Sequence, residues 1–214
     1  MGARLIGMAV FCLLVTAGVG RADDLLYTTN NGCITVTGCM GDGGAVNITN
    51  RINGLPVTSI GRMAFHRCPG LSGVTIPSSV TNIGELAFGY CFSLASATIG
   101  NGVTSIGPHA FEACYNLANV TMGTSVTIIG AQAFQGCTSL PGVTIPKSVT
   151  DVGDEAFRRC TSLSGIYFEG NAPRVGWDVF TDDPSVTVYF LPGTTGWGTS
   201  FGGRPTEPKA GRAR

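Results

Sequence analysis

Cysteine is the residue type in this chain with the most obvious chemistry, because five of the eight fall at positions 68, 91, 114, 137 and 160, each 23 residues after the last. Thiols so placed have three uses: ligating a metal, forming disulfides, or filling small apolar sites. Metal ligation is disfavoured because no Cys-x-x-Cys and no clustered histidine accompanies them. If successive 23-residue units stack, neighbouring members lie ~4.8 Å apart, within disulfide reach. Side chains of one column point the same way, however, and each Cys sits between an Ala-Phe pair and a Leu, the setting of a small buried site. We therefore expect a column of buried thiols. Cys33 and Cys39 flank Ile34-Thr35-Val36-Thr37, which reads as a strand. If the chain is extended there, they lie roughly 20 Å apart, too far to bond.

Other reactive types give weaker signals. His66 and His109 occupy different phases of the 23-residue period, without a matching nucleophile, and read as surface residues. Gly142 to Ser148, GVTIPKS, places Pro146 where a phosphate-binding loop needs glycine, so it reads as strand and turn. Asp42-Gly43-Gly44 and Asp182-Asp183 are too few carboxylates for a calcium loop and read as turns. Asp178, Asp182 and Asp183 leave a carboxylate mechanism formally open, with no histidine nearby in sequence to complete it. Asn47-Ile48-Thr49 and Asn119-Val120-Thr121 fit the N-glycosylation sequon, relevant only in a eukaryotic secretory pathway. We expect no catalytic centre, no metal site and no cofactor.

Those positions need a scaffold, and its composition is unusual: 32 glycines among 214 residues, 12% charged residues, formal net charge zero and 43% apolar residues. A chain this apolar and this weakly charged should fold. A balanced charge also lacks the basic surface that nucleic acid would need. Residues 1–22 read as a signal peptide: Arg4, an apolar run from Leu5 to Val19, then Gly20-Arg21-Ala22 as a cleavage site. That run is shorter than the ~20 residues of a spanning helix. Export to a secreted, periplasmic or cell-surface location is expected, with no membrane span after cleavage.

The period extends beyond cysteine. Ile60-Gly61, Ile83-Gly84, Ile106-Gly107, Ile129-Gly130 and Val152-Gly153 repeat in phase, as do Ala64-Phe65, Ala87-Phe88, Ala110-Phe111, Ala133-Phe134 and Ala156-Phe157. Leu71 and its counterparts follow each Cys, and then an alternating Val-x-Ile, as in Val74-Thr75-Ile76, reads as a strand. Ala, Phe and Cys at i, i+1 and i+4 share one face of a short helical segment. A unit of this size cannot cover its own apolar stripe, so the units must stack into a solenoid. Gly61 and its counterparts fall where the chain turns, a place that calls for positive φ or close approach between coils.

This constellation, Ile-Gly-x-x-Ala-Phe-x-x-Cys-x-x-Leu-x-x-Val-x-Ile-Pro-x-Ser-Val-Thr, resembles the BspA-like, or treponemal, class of leucine-rich repeats over about residues 46–172. The resemblance implies a right-handed α/β coil with parallel strands on one face and short helical segments on the other, used without catalysis for protein binding or adhesion. The organisation expected is a strand cap at 23–59, five 23-residue repeats at 60–172, a C-terminal cap at 173–204 and a flexible tail at 205–214. The aromatic-rich stretch from Trp177 to Phe201 reads as the lid that a solenoid end requires, too irregular for a sixth repeat.

Recognition surfaces usually carry Trp, Tyr or Arg. The strand face offers glycine, serine and threonine, with Tyr167 as its one large aromatic group. The column after Cys reads Pro69, Phe92, Tyr115, Thr138 and Thr161, and Tyr90 lies two residues before Phe92. Tyr90, Phe92 and Tyr115 are therefore candidates for an exposed patch that meets a protein or cell-surface ligand, the bland alternative being aromatics that pack only on one another. A structural spacer without a ligand is the alternative function.

Overall fold

The computed structural model describes residues 25–39 and 43–209; the expected signal peptide and Asp42 lie outside them. The chain winds as a right-handed β-solenoid of about seven coils. Each coil gives one short strand to each of two stacks. One stack runs through Cys33–Cys39, Leu55–Ile60, Asn82–Ile83, Ser105–Ile106, Ile128–Ile129, Asp151–Val152 and Arg174–Val175, all parallel. The other holds the Val-x-Ile segments, including Leu71–Ile76, Ser96–Ile99, Gly142–Ile145 and Gly165–Phe168.

The expected helical segments are absent among the described residues; a ribbon of turns replaces them. In the first repeat Ala64 N–H donates to the Gly61 carbonyl, His66 to Met63 and Cys68 to Phe65, all i to i−3. The intervening amides point along the solenoid instead: Met63, Phe65 and Arg67 N–H donate to the carbonyls of Glu85, Ala87 and Gly89 in the next coil. The physical reason is length. A lone helical turn fixes several residues for few bonds, whereas the ribbon exchanges one amide in two with its neighbour. It requires left-handed φ at residues with side chains, including Met63 (57°), Leu86 (54°), His109 (56°) and Glu155 (54°).

The turn glycines serve close approach, not positive φ. A Cβ on Gly84 would lie 2.7 Å from the Arg62 nitrogen, on Gly130 2.6 Å from the Pro108 nitrogen and on Gly153 2.5 Å from the Ala131 nitrogen. Each amide donates to the coil before it, Gly84 to the Ile60 carbonyl at 2.8 Å.

The core is a stack of phenylalanines. Phe65, Phe88, Phe111, Phe134, Phe157 and Phe180 are buried, their ring centroids 5.0 to 6.1 Å apart in sequence along the axis. Phe180 corrects the expected five repeats. Val175-Gly176, Val179-Phe180 and Val186 continue the columns for a sixth unit, which then loses one residue, so that Ile166 pairs with Val188 at a separation of 22. Residues 205–208 of the expected tail belong to the strand Arg204–Pro208, which pairs with Thr187–Phe190.

Among the described residues, three hairpins finish the ends. Leu25–Asn30 folds onto Cys33–Cys39 through Asn31 and Gly32, Arg51–Ile52 onto Leu55–Ile60 through Asn53 and Gly54, and Ser200–Phe201 onto Arg204–Pro208 through Gly202 and Gly203. All six turn residues have positive φ, as the tight turns that match strand twist demand.

The Val-x-Ile stack is interrupted once. Asn119–Thr121 and Gly142–Ile145 do not pair, and the stack divides there into two sheets. Ala118 N–H donates to the Ala95 carbonyl and Ser164 N–H to the Pro141 carbonyl, but Pro141 has no N–H for the Ala118 carbonyl. Val120 and Met122 consequently lose part of their cover.

Candidate functional site

Behind each ribbon the chain turns sharply into its strand; Leu94 N–H donates to the Cys91 carbonyl, and Leu117 to Cys114. The residue after Cys sits at the corner of that turn and projects from the edge of the solenoid. Phe92 and Tyr115 occupy this corner in consecutive coils, 46% and 47% exposed, with ring centroids 5.3 Å apart and planes 2° from parallel. The Asn116 side-chain amide donates to the Phe92 carbonyl at 2.8 Å, tying the two corners together.

Tyr90 supports this pair from the ribbon. Its ring meets Phe92 edge-on at 6.3 Å and His66 edge-on at 5.4 Å, and the Arg67 guanidinium lies 5.6 Å from its centroid. Its hydroxyl donates to Glu112 Oε1 at 2.9 Å, and this bond to a carboxylate raises the phenol pKa, with partial burial adding to it. His109 Nδ1 lies 2.9 Å from Glu112 Oε2. The two histidines, which the spacing suggested were bare surface residues, thus stand beside the aromatic cluster. The cluster is apolar at its exposed end and rimmed by Arg67, Glu112 and the imidazoles.

Tyr167 is elsewhere. On the strand face it stacks on Tyr189 with centroids 5.0 Å apart, while Lys209 Nζ lies 4.9 Å from its centroid. Its ring folds back over Gly165, where a Cβ would come within 2.8 Å of the hydroxyl. With Asn119, Thr121 and Thr144 it borders the depression left by the interruption at Pro141.

The cysteine column is a ladder of thiols. Cys91, Cys114, Cys137 and Cys160 are buried, and none of them forms a disulfide. Each Sγ faces the carbonyl of the phenylalanine 26 residues earlier: Cys91 to Phe65 at 2.9 Å, Cys114 to Phe88 at 3.1 Å, Cys137 to Phe111 at 3.3 Å and Cys160 to Phe134 at 3.1 Å. Burial pushes the Cys91 thiol up to about 12 and the other three higher still, so they are neutral and poor nucleophiles. Among the described residues no group of three His, Cys, Asp or Glu is placed to hold a metal. No helix of the described residues is long and apolar enough to cross a membrane.

Two features escaped the sequence reading. Trp177, assigned to a lid, is 82% exposed, its amide held by Asp154 Oδ1 at 2.8 Å. Asp183, assigned to a turn, is buried in the cysteine column, 23 residues after Cys160. In both cases the signal was available, since each residue falls on the 23-residue grid.

The chain matches the model of the BspA type leucine rich repeat region, in six copies over residues 57–187. Among solved structures it is similar to the leucine-rich repeat protein TpLRR of T. pallidum, at 32% identity and a TM-score of 0.70, over 77% of this chain and 89% of that one. It also shares the fold of the pneumococcal vaccine antigen PcpA, at 23% identity and a TM-score of 0.51, over 68% of this chain and 48% of that one. No curated protein matches it. Matched over more than half its length by six in-phase copies whose Phe, Cys and Gly columns carry the observed packing, the chain belongs to the BspA-type leucine-rich repeat family.

Proposed function

We propose that this protein is exported and acts as a non-enzymatic recognition module, binding a protein ligand or adhering to a surface through the edge cluster of Phe92, Tyr115 and Tyr90. One observation carries the reading: two large aromatic rings project side by side from adjacent corners where the other coils place Pro69, Thr138, Thr161 and Pro184. Exposed aromatic groups held rigidly and bordered by charge are the usual makings of a binding hot spot. Tyr167 is a secondary contact on the strand face. The buried, neutral thiols offer nothing to catalysis.

The competing reading, a spacer without a ligand, draws on the same stack, because the rings already satisfy one another at 5.3 Å. Capture with the full chain separates the two: immobilised protein is exposed to surface and envelope extracts, with the Phe92→Thr/Tyr115→Thr double variant as control. A partner retained by the native chain and lost from the variant supports recognition. Equal retention, or none, supports the spacer.

A further inference from the structure

We propose that Asp183 is held as a neutral carboxylic acid that replaces the column thiol in the sixth coil, donating its proton to the Phe157 carbonyl, and that its ionisation loosens the C-terminal end of the solenoid.

The register places it. Four thiols each donate to the phenylalanine carbonyl 26 residues earlier, and from Asp183 the same step lands on Phe157. The local backbone is also that of a column cysteine: Asp183 N–H donates to the Phe180 carbonyl as Cys160 does to Phe157, and Val186 N–H donates to Asp183 as Leu163 does to Cys160. The residue is 1% exposed, and neither oxygen makes a well-formed hydrogen bond, the Cys160 backbone amide giving the carboxylate only slight support. An ionised carboxylate can only accept, so at a position whose side chain meets a carbonyl in the coils before, it would be buried with little compensation. A protonated one supplies the single donor that this position uses in the coils before it.

The surrounding charges do not rescue the anion. Arg204, from the terminal hairpin, donates to the Phe180 carbonyl at 2.8 Å, and Asp182 pairs with Arg159 at 3.1 Å and Arg158 at 3.6 Å. Desolvation raises Asp183 from 3.8 to about 7; Arg204 opposes this, Asp182 adds to it, and the Cys160 backbone opposes it weakly. The unfolded chain releases this proton near 3.8 and the folded chain near 7. Between those values the folded state alone holds the proton, so the contribution is present at acid pH, declines as pH rises through the window, and is level above it. What gives way is the hairpin Ser200–Phe201 with Arg204–Pro208, because its Arg204 is bonded to the same Phe180 carbonyl that accepts from the Asp183 amide.

The test is thermal unfolding of the full chain from pH 4 to pH 8, comparing native protein with Asp183→Asn and Asp183→Cys. Relative to either variant, the native midpoint should fall by ~4 °C or more between pH 4 and pH 7. A protonated-carboxyl infrared band should be present at pH 5 and missing from Asp183→Asn. Should the amide variant fail to fold, Asp183→Cys carries the comparison, its side chain being the one that this column already holds. Parallel midpoints in native and variant proteins, or no such band, would overturn the proposal.

Discussion

Phe92 and Tyr115 are stacked as closely as the phenylalanines of the core, 5.3 Å between centroids and 2° from parallel, yet each leaves nearly half its surface in water. The solenoid thus repeats outside the geometry that stabilises its interior. Inside, the ring ladder is enclosed on all sides; at the edge one side stays open, and an aromatic pair adds only about 0.5–1.5 kcal/mol beyond its burial. Replacing both rings by threonine, which the same column holds at Thr138 and Thr161, should therefore lower stability by about 1 kcal/mol, measured by urea unfolding. A much larger loss would mean that the pair is a structural element.

The thiol ladder predicts both reactivity and an alkaline limit. Titrated with a thiol reagent in the native state, Cys91, Cys114, Cys137 and Cys160 should stay protected, then react fully after denaturation without reductant. Because burial raises Cys91 from 9.0 to about 12, the unfolded chain releases that proton first as pH rises. Stability should be intact below pH 9 and fall progressively toward pH 12. Cys114→Ala should cost about 1–2 kcal/mol through the lost contact and the cavity, and should weaken the alkaline fall.

Glycines in two columns answer to different constraints. At Gly153 a Cβ would lie 2.5 Å from backbone, so Gly153→Ala should separate two coils and cost about 1–3 kcal/mol. At Gly136 φ is 72° but the nearest atom is 3.6 Å away, and Arg67, Tyr90 and Arg159 take positive φ in the same column. Gly136→Ala should therefore cost only about 1 kcal/mol. Equal losses at the two sites, in paired denaturation curves, would contradict the assignment.

The interruption in the strand stack is attributed to one missing donor. Pro141→Ala restores an N–H opposite the Ala118 carbonyl and should raise stability by about 0.5–1.5 kcal/mol, with the new amide at position 141 protected from hydrogen exchange. An unprotected amide there would show that the break has another cause.

How far the sequence carried each feature depended on whether its cause repeats. The Phe, Cys and Gly columns were legible because five copies report the same environment, and the strand positions followed from alternation after Leu. The turn ribbon was not legible: Ala64, Phe65 and Cys68 share one face of a helix as readily as one face of a ribbon, and only the exchange of Met63, Phe65 and Arg67 amides with the next coil distinguishes them. The sixth unit was hidden by the exchange of Cys for Asp183 and by one deleted residue before Val188. At the edge, the column after Cys pointed to Phe92 and Tyr115. It gave no sign that His66 and Glu112 meet Tyr90, because those two contacts cross coils between residues in different columns.

The central claim is that the edge formed by Phe92 and Tyr115 recognises a partner, and the most direct measurement is binding of that captured partner to three full-length proteins: native, Phe92→Thr/Tyr115→Thr, and Tyr167→Thr on the strand face. The account predicts at least a ~30-fold loss of affinity for the double variant, the cost of removing a hot spot of about 2 kcal/mol, and a smaller change for Tyr167→Thr. Unchanged affinity in the double variant, with its fold intact, would contradict it.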